Sequence, residues 1–361
     1  MDIIYATDDV EVVLEDDEDE VSVHYDIASY PSDYTLSGIV QMWNEGDIEI
    51  PDYQREFVWS IKQSSLLIDS FLTGLPVPPV FFYIDENSKN LVIDGQQRVF
   101  SIVCFMEGYF GQESTHGKRQ VFRLSGLGNT NPYNGKQFKE LEESDQRKLK
   151  QAVLRAINIR QLSPIGESTS AYHIFERLNT GGTPLKPQEI RNCVFRGEFS
   201  KVLKNINTDE HWRAIINRKH LDRHQKDVEL VLRIFSLVGA SDTYEKPMKE
   251  FLNKAMKKHK LATTTKVHDF LTIFPQVTKL ISSQIGGQPF HLRGKLNVSA
   301  LDSVMAVLIE NYHDVSHVDL SQRFAELVAD DVFIESVTIN TTDSKTVRNR
   351  FSRVKLILLG N

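Results

Sequence analysis

The chain has 361 residues, a length typical of two domains or of one large domain with an appendage. Hydrophobic residues make up 40% and charged residues 25% of the sequence, which excludes collagen-like, wholly disordered and membrane-embedded proteins. The net charge of −7 is unevenly distributed: residues 1–20 hold ten acidic side chains and no basic one, so the remaining 341 residues carry a net +3.

Targeting signals and paired cysteines are both lacking. No apolar run approaches the roughly 18 residues that a membrane-spanning helix needs, and residues 1–4 lack the basic start of a secretion signal. We therefore expect a cytoplasmic protein without a membrane partner. Cys104 and Cys193 stand far apart in apolar surroundings, which excludes a disulfide framework and a zinc site built on cysteine.

The first half of the chain predicts a mixture of helices and strands. Residues 1–29 are predicted to be an acidic, disordered leader, with order beginning near Tyr30. The spacing of apolar residues then predicts helices over 34–46, 60–73, 96–107, 144–152, 170–178 and 187–195. It predicts strands over 48–51, 120–124 and 153–161, and an antiparallel hairpin formed by 77–84 and 91–93.

The second half predicts helices alone. Strand signals nearly vanish beyond Gly197, and helical patterns recur over 200–206, 227–238, 244–258, 266–282, 299–310 and 321–329. The predicted fold class is therefore α/β, in the α+β sense. A small mixed-sheet domain over residues 30–200 is followed by an all-helical domain over 201–361.

The sharpest local feature is the segment Asp94-Gly95-Gln96-Gln97-Arg98, between a short buried strand and an apolar helix. Glycine lets the backbone approach a ligand closely, unpaired amides of a first helical turn attract anions, and an arginine fork matches phosphate oxygens. A carboxylate beside them can hold a divalent cation or orient a water molecule. The alternative is that Asp94 merely caps the helix, which would not explain two glutamines and an arginine between apolar stretches.

Two further segments hold polar residues in unusual settings. Residues 50–59 place Gln54 and Arg55 among aromatic side chains, so this segment is predicted to pack rather than to be solvated. Residues 175–185 contain a turn between two helices, Asn179-Thr180-Gly181-Gly182. Its amides suit an anion nest, although a plain helix connection would look similar.

Basic residues cluster at 213–226 and 345–355, which suits contact with a nucleic-acid backbone or simply a solvated helix face. The acidic leader is then either a solvating tail or an intramolecular cover for a basic surface. His220 and His224 are spaced to share a helix face, but they lack the glutamate of a zinc-protease motif, which argues against a metal there. Neither a P-loop nor a serine-hydrolase elbow occurs in the sequence.

Four motifs, in this order, resemble the N-terminal domain of GmrSD-type modification-dependent restriction endonucleases, a ParB/sulfiredoxin-like group. The family pattern reads I-P-x-Y-Q-R-x-x-V-W, then P-I-P-P before a strand, then D-G-Q-Q-R, then F-x-R-L-N-T-G-G-T-P-L-x-x-Q-E-I-R-N. The matching segments here are residues 50–59, 76–79, 94–98 and 175–192. The joint occurrence of four motifs makes the resemblance specific, and it extends to about residue 233.

The resemblance implies a ParB-like domain that binds and hydrolyses a nucleoside triphosphate, with Mg²⁺ as the expected cation, in prokaryotic DNA restriction and phage defence. The expected catalytic residues are Asp94, Gln97 and Arg98, and Asp94 is also the expected metal ligand. The expected nucleotide-binding residues are Gln54, Arg55, Gly95, Gln96, Ser101, Arg177, Asn179, Thr180, Gly181 and Gly182.

This sequence departs from the family pattern at three places. Phe100 stands where relatives often have a hydroxyl residue, and Lys186 stands where they often have asparagine. The histidine nuclease domain of many relatives is not recognisable in residues 200–361, so the expected partners are DNA and a separate nuclease subunit. Two alternatives stay open, namely a DNA-binding module without hydrolysis and a metal-dependent DNA nuclease.

Overall fold

The computed structural model describes residues 5–6, 26–50, 59–85, 87–111, 119–163, 169–178, 186–315 and 317–360. The chain divides into two compact units. Residues 24–184 form the first, here called the sheet unit. Residues 185–361 form the second, the helical unit, and residues 1–23 group with it. The first strand, β1 (Tyr5–Ala6), therefore belongs to the helical unit.

The sheet unit is built on a five-stranded mixed sheet with the strand order β2-β8-β4-β5-β3. β2 and β8 run antiparallel, as do β4 and β5, whereas β4 runs parallel to β8 and β3 runs parallel to β5. The predicted hairpin is thereby confirmed. The strands are β2 (Asp26–Thr35), β3 (Ile48–Glu49), β4 (Val80–Ile84), β5 (Asn90–Asp94) and β8 (Val153–Ser163).

The helices of the sheet unit begin and end at residues suited to those positions. Thr35 and Ser60 accept hydrogen bonds from first-turn amides, and the left-handed Gly74 ends the second helix. The helices are α1 (Leu36–Asn44), α2 (Ile61–Thr73), α3 (Gln96–Glu107), α4 (Glu143–Gln151) and α5 (Ser170–Leu178). Two short strands, β6 (Tyr109–Phe110) and β7 (Gln120–Val121), pair within the predicted loop-rich insertion.

The core of the sheet unit lies between the sheet and helices α1 to α4. Val80, Phe82 and Val92 contribute from the strands, and the buried face of α3 contributes Val99 and Phe105. This packing holds the end of β5 and the start of α3 in place, because both are continuous with buried apolar residues.

The helical unit contains only two short strands in its described residues, β1 and β9 (Leu221–Asp222), which pair in parallel. Its helices are α6 (Pro187–Val194), α7 (Glu198–Ile206), α8 (Glu210–Ile215), α9 (Lys226–Leu237), α10 (Met248–Lys258), α11 (Thr265–Gln284), α12 (Val298–Glu310), α13 (Tyr312–Val315), α14 (Leu320–Val328), α15 (Asp331–Ser336) and α16 (Ser344–Leu359). None of the helices in the described part of the chain is long and apolar enough to cross a membrane.

The predicted fold class, a small mixed sheet followed by helices, is confirmed. Several local predictions need correction. The elements that were not predicted are β1, β2, β6, β9, α8, α13, α15 and α16. His220 and His224 do not share a helix face, because β9 and a turn occupy this segment and α9 begins only at Lys226. The predicted disordered leader, 1–29, lies mostly outside the described residues, and its described parts, 5–6 and 26–29, are strands.

Candidate functional site

The chain turns sharply between β5 and α3, and Gly95 makes this turn possible. Gly95 has a left-handed backbone with φ of +95° and occupies the position just before the first helical residue. A Cβ atom at this position would lie 2.2 Å from Cγ1 of Val80, at the start of the neighbouring strand β4. Val80 directly follows the proline motif at 76–79, so this motif and the 94–98 motif meet at Gly95. Sequence reasoning did not predict this contact.

An ion pair spans the first turn of α3. Nη2 of Arg98 donates to Oδ2 of Asp94 at 2.9 Å, and the two side chains are 15% and 37% exposed, respectively. No side chain caps the amides of α3, so Asp94 does not act as the helix cap. Asp94 instead holds the guanidinium group of Arg98 against the helix start, and its partly exposed carboxylate faces solvent.

Two buried nitrogen atoms in this turn lack hydrogen-bond partners. Nε of Arg98 and Nε2 of Gln96 are both buried, and neither has an acceptor within the described part of the chain. A buried donor without an acceptor lowers the free energy of unfolding by about 1–3 kcal/mol, so such donors are rare in native proteins and call for an explanation. These two nitrogen atoms and the unpaired first-turn amides are hydrogen-bond donors in the same turn of α3, and amides at a helix start attract anions.

Gln97 connects the 94–98 motif to the end of the 50–59 motif through a hydrogen bond. Oε1 of Gln97 accepts a hydrogen bond from the backbone amide of Trp59 at 3.1 Å. Trp59 also packs against the core of the sheet unit. The structure thus brings the end of the 50–59 segment to the start of α3, while Gln54 and Arg55 lie outside the described residues.

Ser101 lies on the buried face of α3. Its hydroxyl oxygen is 2.9 Å from Oγ of Ser64 on α2 and 2.7 Å from the carbonyl oxygen of Gln97. Ser101 and Ser64 are both fully buried. In this structure the Ser101 hydroxyl therefore joins α2 to α3. Ser64 is a partner that the sequence pattern did not indicate.

The remaining predicted residues belong to the 175–192 motif. Arg177 is an exposed residue in the last turn of α5. The turn Asn179-Thr180-Gly181-Gly182 lies outside the described residues. The last part of the motif folds into α6, where Arg191 is buried and donates to Glu229 at 2.9 Å and to Asn253 at 2.9 Å. This part of the motif therefore stabilises the helical unit.

No group of three or more His, Cys, Asp or Glu side chains comes together in the part of the chain that the structure describes. His224 lies 3.5 Å from a carboxylate oxygen of Glu189 but has no third partner of this kind in the same part of the chain. Among the described residues, the carboxylate of Asp94 therefore belongs to no cluster of three metal-ligating side chains.

Comparison with known families identifies the region that contains this site. The model of the GmrSD restriction endonuclease N-terminal domain matches residues 36–196. The chain carries a GmrSD N-terminal domain. The match includes the proline motif, the β5–α3 turn and both ends of the ion pair Asp94–Arg98, and the predicted family is thereby confirmed. No curated protein and no solved structure matches the chain.

The GmrSD N-terminal domain thus supplies the sheet unit from α1 onward and continues through α6. Strand β2, which precedes α1, completes the sheet by pairing with β8 but lies outside the matched region. The residues at the β5–α3 turn are therefore part of the domain shared with restriction endonucleases.

Proposed function

We propose that the GmrSD N-terminal domain of this chain binds a nucleoside triphosphate at the start of α3 and hydrolyses it within a prokaryotic DNA-restriction and phage-defence system. The observation that carries this proposal is the pair of buried, unpartnered donors, Nε of Arg98 and Nε2 of Gln96, beside the left-handed Gly95. Oxygen atoms of a phosphate group supply the acceptors that both donors lack.

The geometry of the turn favours phosphate over a neutral ligand. The amides of the first helical turn carry a partial positive charge, and the left-handed backbone of Gly95 lets α3 begin directly after β5. Arg98 adds a full positive charge, and its hydrogen bond to Asp94 holds the guanidinium group in one orientation. A fixed guanidinium loses less side-chain freedom on binding than a free one, which favours affinity.

Asp94 is the residue proposed to act in hydrolysis. Its carboxylate is 37% exposed and uses one oxygen for Arg98, so the other oxygen is available to orient water or to bind a cation. Magnesium sites on nucleotides commonly use one or two carboxylates plus phosphate oxygens, which this lone carboxylate fits. A Mg²⁺ ion bound at this position would neutralise part of the negative charge of the phosphates.

DNA is the proposed macromolecular partner, because the matching family is one of restriction endonucleases. Because the histidine nuclease domain of many relatives is not recognisable in residues 200–361, a separate nuclease subunit is the proposed part that cuts DNA. Nucleotide binding would then regulate or power that partner.

The proposal is tested by measuring binding of ATP, GTP, CTP and UTP, and release of phosphate, with the full chain and three variants. Arg98→Ala removes a charge-assisted contact, so we expect a loss of about 1.5–3 kcal/mol in nucleotide binding. Asp94→Asn should retain binding without metal but lose turnover, because the carboxylate acts mainly in the transition state. Arg123→Ala is the matched control, since Arg123 forms an ion pair with Glu140 in the same unit.

Binding of a nucleotide by Arg98→Ala as tightly as by the wild-type chain would show that the site is structural. Loss of binding in Arg123→Ala to the same extent would show that the effect is one of overall charge. Turnover that survives in Asp94→Asn would remove Asp94 from the catalytic step.

A further inference from the structure

The five-stranded sheet has two faces, and one of them packs against helices α1 to α4. Along β8, Leu154 and Ala156 belong to the core that lies on this face. Successive residues of a strand point to opposite faces, so Ile157 belongs to the other face, here called the outer face. On β4 the same alternation assigns Phe82 to the core and Phe81 to the outer face.

Helix α5 covers part of the outer face. The ring of Tyr83 on β4 packs against the ring of Phe175 on α5, with centroids 6.4 Å apart. Strand register places Tyr83 between Ile159 on β8 and Leu91 on β5. The side chains of Ile159 and Leu91 are buried, at 6% and 8% exposed. This part of the outer face is therefore used for packing within the sheet unit.

The neighbouring residues of the outer face remain accessible to solvent. Strand register places Phe81 beside Ile157 on β8, and it pairs Ile157 with Pro31 on β2. Phe81 and Ile157 are half-buried, and Pro31 is exposed. These three residues are here called the apolar row. They form an apolar strip across three adjacent strands that solvent reaches.

The apolar row leads directly to the candidate site. A register shift after Phe81 brings Asp94, rather than Ile93, opposite Phe81 in the β4–β5 pair. Asp94 in turn accepts the hydrogen bond from Arg98 at 2.9 Å. Adjacent strands lie about 4.8 Å apart, so the two steps from Asp94 across Phe81 to Ile157 span roughly 10 Å. A charged end and an apolar end thus lie side by side on neighbouring strands.

We propose that the apolar row binds the base of the nucleotide whose phosphates lie at the start of α3. This inference rests on the proposed function and extends it to the other end of the ligand. A nucleoside triphosphate carries its negative charge at one end and a flat, aromatic base at the other. The sheet unit has complementary groups in the same order, with Arg98 at one end and Phe81 and Ile157 at the other.

Phe81 is the residue proposed to stack on the base. Stacking on an aromatic side chain is available to every base, because each base has a π face. Ile157, beside Phe81, adds an aliphatic surface, and ligand sites are typically lined by such a mixture of aromatic and aliphatic side chains. Inorganic tripolyphosphate has the charge of the nucleotide but no base. The apolar row should therefore strengthen the binding of nucleotides and not that of tripolyphosphate.

The test compares the affinities of the full chain for ATP, GTP, CTP and UTP with its affinity for tripolyphosphate. Phe81→Leu removes the ring but keeps an apolar side chain, so we expect it to weaken nucleotide binding about tenfold. Its affinity for tripolyphosphate should equal that of the wild-type chain. Phe81→Trp keeps an aromatic ring and should bind nucleotides like wild type. Thermal unfolding of each variant checks that it is folded.

Val153→Ala is the matched control, because Val153 lies on the outer face at the start of β8, away from the apolar row, and is 49% exposed. We expect it to bind nucleotides and tripolyphosphate like the wild-type chain. Wild-type affinity for nucleotides in Phe81→Leu would overturn the inference. So would an equal loss of affinity for nucleotides and for tripolyphosphate in Phe81→Leu, or an equal loss of nucleotide affinity in Val153→Ala.

Arg98→Ala, measured with the same ligands, distinguishes failure of this inference from failure of the proposed function. Because Arg98 is proposed to contact phosphate oxygens, its loss should weaken the binding of nucleotides and of tripolyphosphate alike. If Arg98→Ala weakens both and Phe81→Leu weakens neither, the phosphate site stands and the base does not lie on the apolar row. If Arg98→Ala binds both ligands like wild type, or if the wild-type chain binds neither, the proposed function fails and this inference fails with it.

Discussion

At the scale of single residues, the β5–α3 turn depends on a glycine for two separate reasons. The backbone of Gly95 is left-handed, which disfavours any residue with a Cβ atom. In addition, the side chain of Val80 lies where a Cβ atom of residue 95 would be, so a larger residue would clash with it. Gly74, at the end of α2, shares only the first constraint, since no atom lies within 4 Å of the Cβ position there.

This difference allows a prediction about stability. Gly74→Ala should destabilise the chain by about 1–2 kcal/mol, the cost of a left-handed alanine. Gly95→Ala should cost roughly 1–3 kcal/mol more, because Val80 must move to admit the methyl group. Urea unfolding of both variants measures the two losses. Equal losses would mean that the contact with Val80 relaxes freely.

The candidate site could be predicted only in part from the sequence. The order strand, glycine, helix around residues 94–98 is a local pattern, and the structure has it. The contacts of Gly95 with Val80 and of Ser101 with Ser64 join residues that are distant in sequence. Local patterns do not determine such contacts, because they depend on how strands and helices pack together.

At the scale of helices and strands, one buried carboxylate joins three helices of the helical unit. Asp302 on α12 accepts two hydrogen bonds from Arg233 on α9, at 2.8 and 3.1 Å. It also lies 3.8 Å from Arg350 on α16, which donates to the carbonyl oxygens of Ser336 and Thr341. All three charged side chains are less than a tenth exposed.

Loss of this carboxylate should weaken the helical unit strongly. Asp302→Asn removes the buried negative charge that pairs with Arg233 and lies near Arg350, for which we expect a loss of roughly 3 kcal/mol in unfolding free energy. Glu143→Gln is the control, because its ion pair with Arg147 is exposed and should contribute nothing measurable. Chemical denaturation of both variants checks this. If Asp302→Asn lowered the unfolding free energy no more than Glu143→Gln does, water would have to reach Asp302.

Two of the elements that escaped prediction, β2 and α16, did so for different physical reasons. Strand β2 is an edge strand with Pro31 in its middle and mostly exposed residues, so only its pairing with β8 makes it a strand. Helix α16 does carry a helical signal, since Val347, Phe351, Val354 and Leu358 are buried at helical spacing. The basic residues between them led this segment to be interpreted as a charged surface rather than as a packed helix.

At the scale of the whole molecule, stability should depend on pH through a buried histidine. The ring of His259 packs against Phe199 and Phe235, and Nδ1 lies 2.7 Å from Oγ1 of Thr264. Burial, followed by the nearby charges of Lys266 and Lys258, lowers the pKa of His259 from 6.5 to about 4. The folded chain therefore keeps this ring neutral over a range in which the unfolded chain takes up a proton.

The sign of the effect follows from that difference. The neutral ring contributes its full stability above pH 6.5, and this contribution is lost as the pH falls from 6.5 toward 4, by on the order of 2 kcal/mol. His259→Gln should flatten this part of the stability profile relative to wild type, whereas His268→Gln, an exposed position, should not. Thermal unfolding between pH 4 and 7 measures the difference. Parallel profiles for wild type and His259→Gln would contradict the prediction.

The pairing of β2 with β8 has a consequence for how the chain folds while it is being synthesised. Register pairs Asp26 with Ser163 and Thr35 with Val153, so β2 leaves the ribosome long before β8, the strand with which it pairs. At roughly 5–20 residues per second, synthesis of the intervening chain takes about 6–30 s. During this interval the nascent β2 and one edge of β4 are open to pairing with other chains. A nascent chain stalled before Val153 would therefore need a chaperone in a way that the finished protein does not.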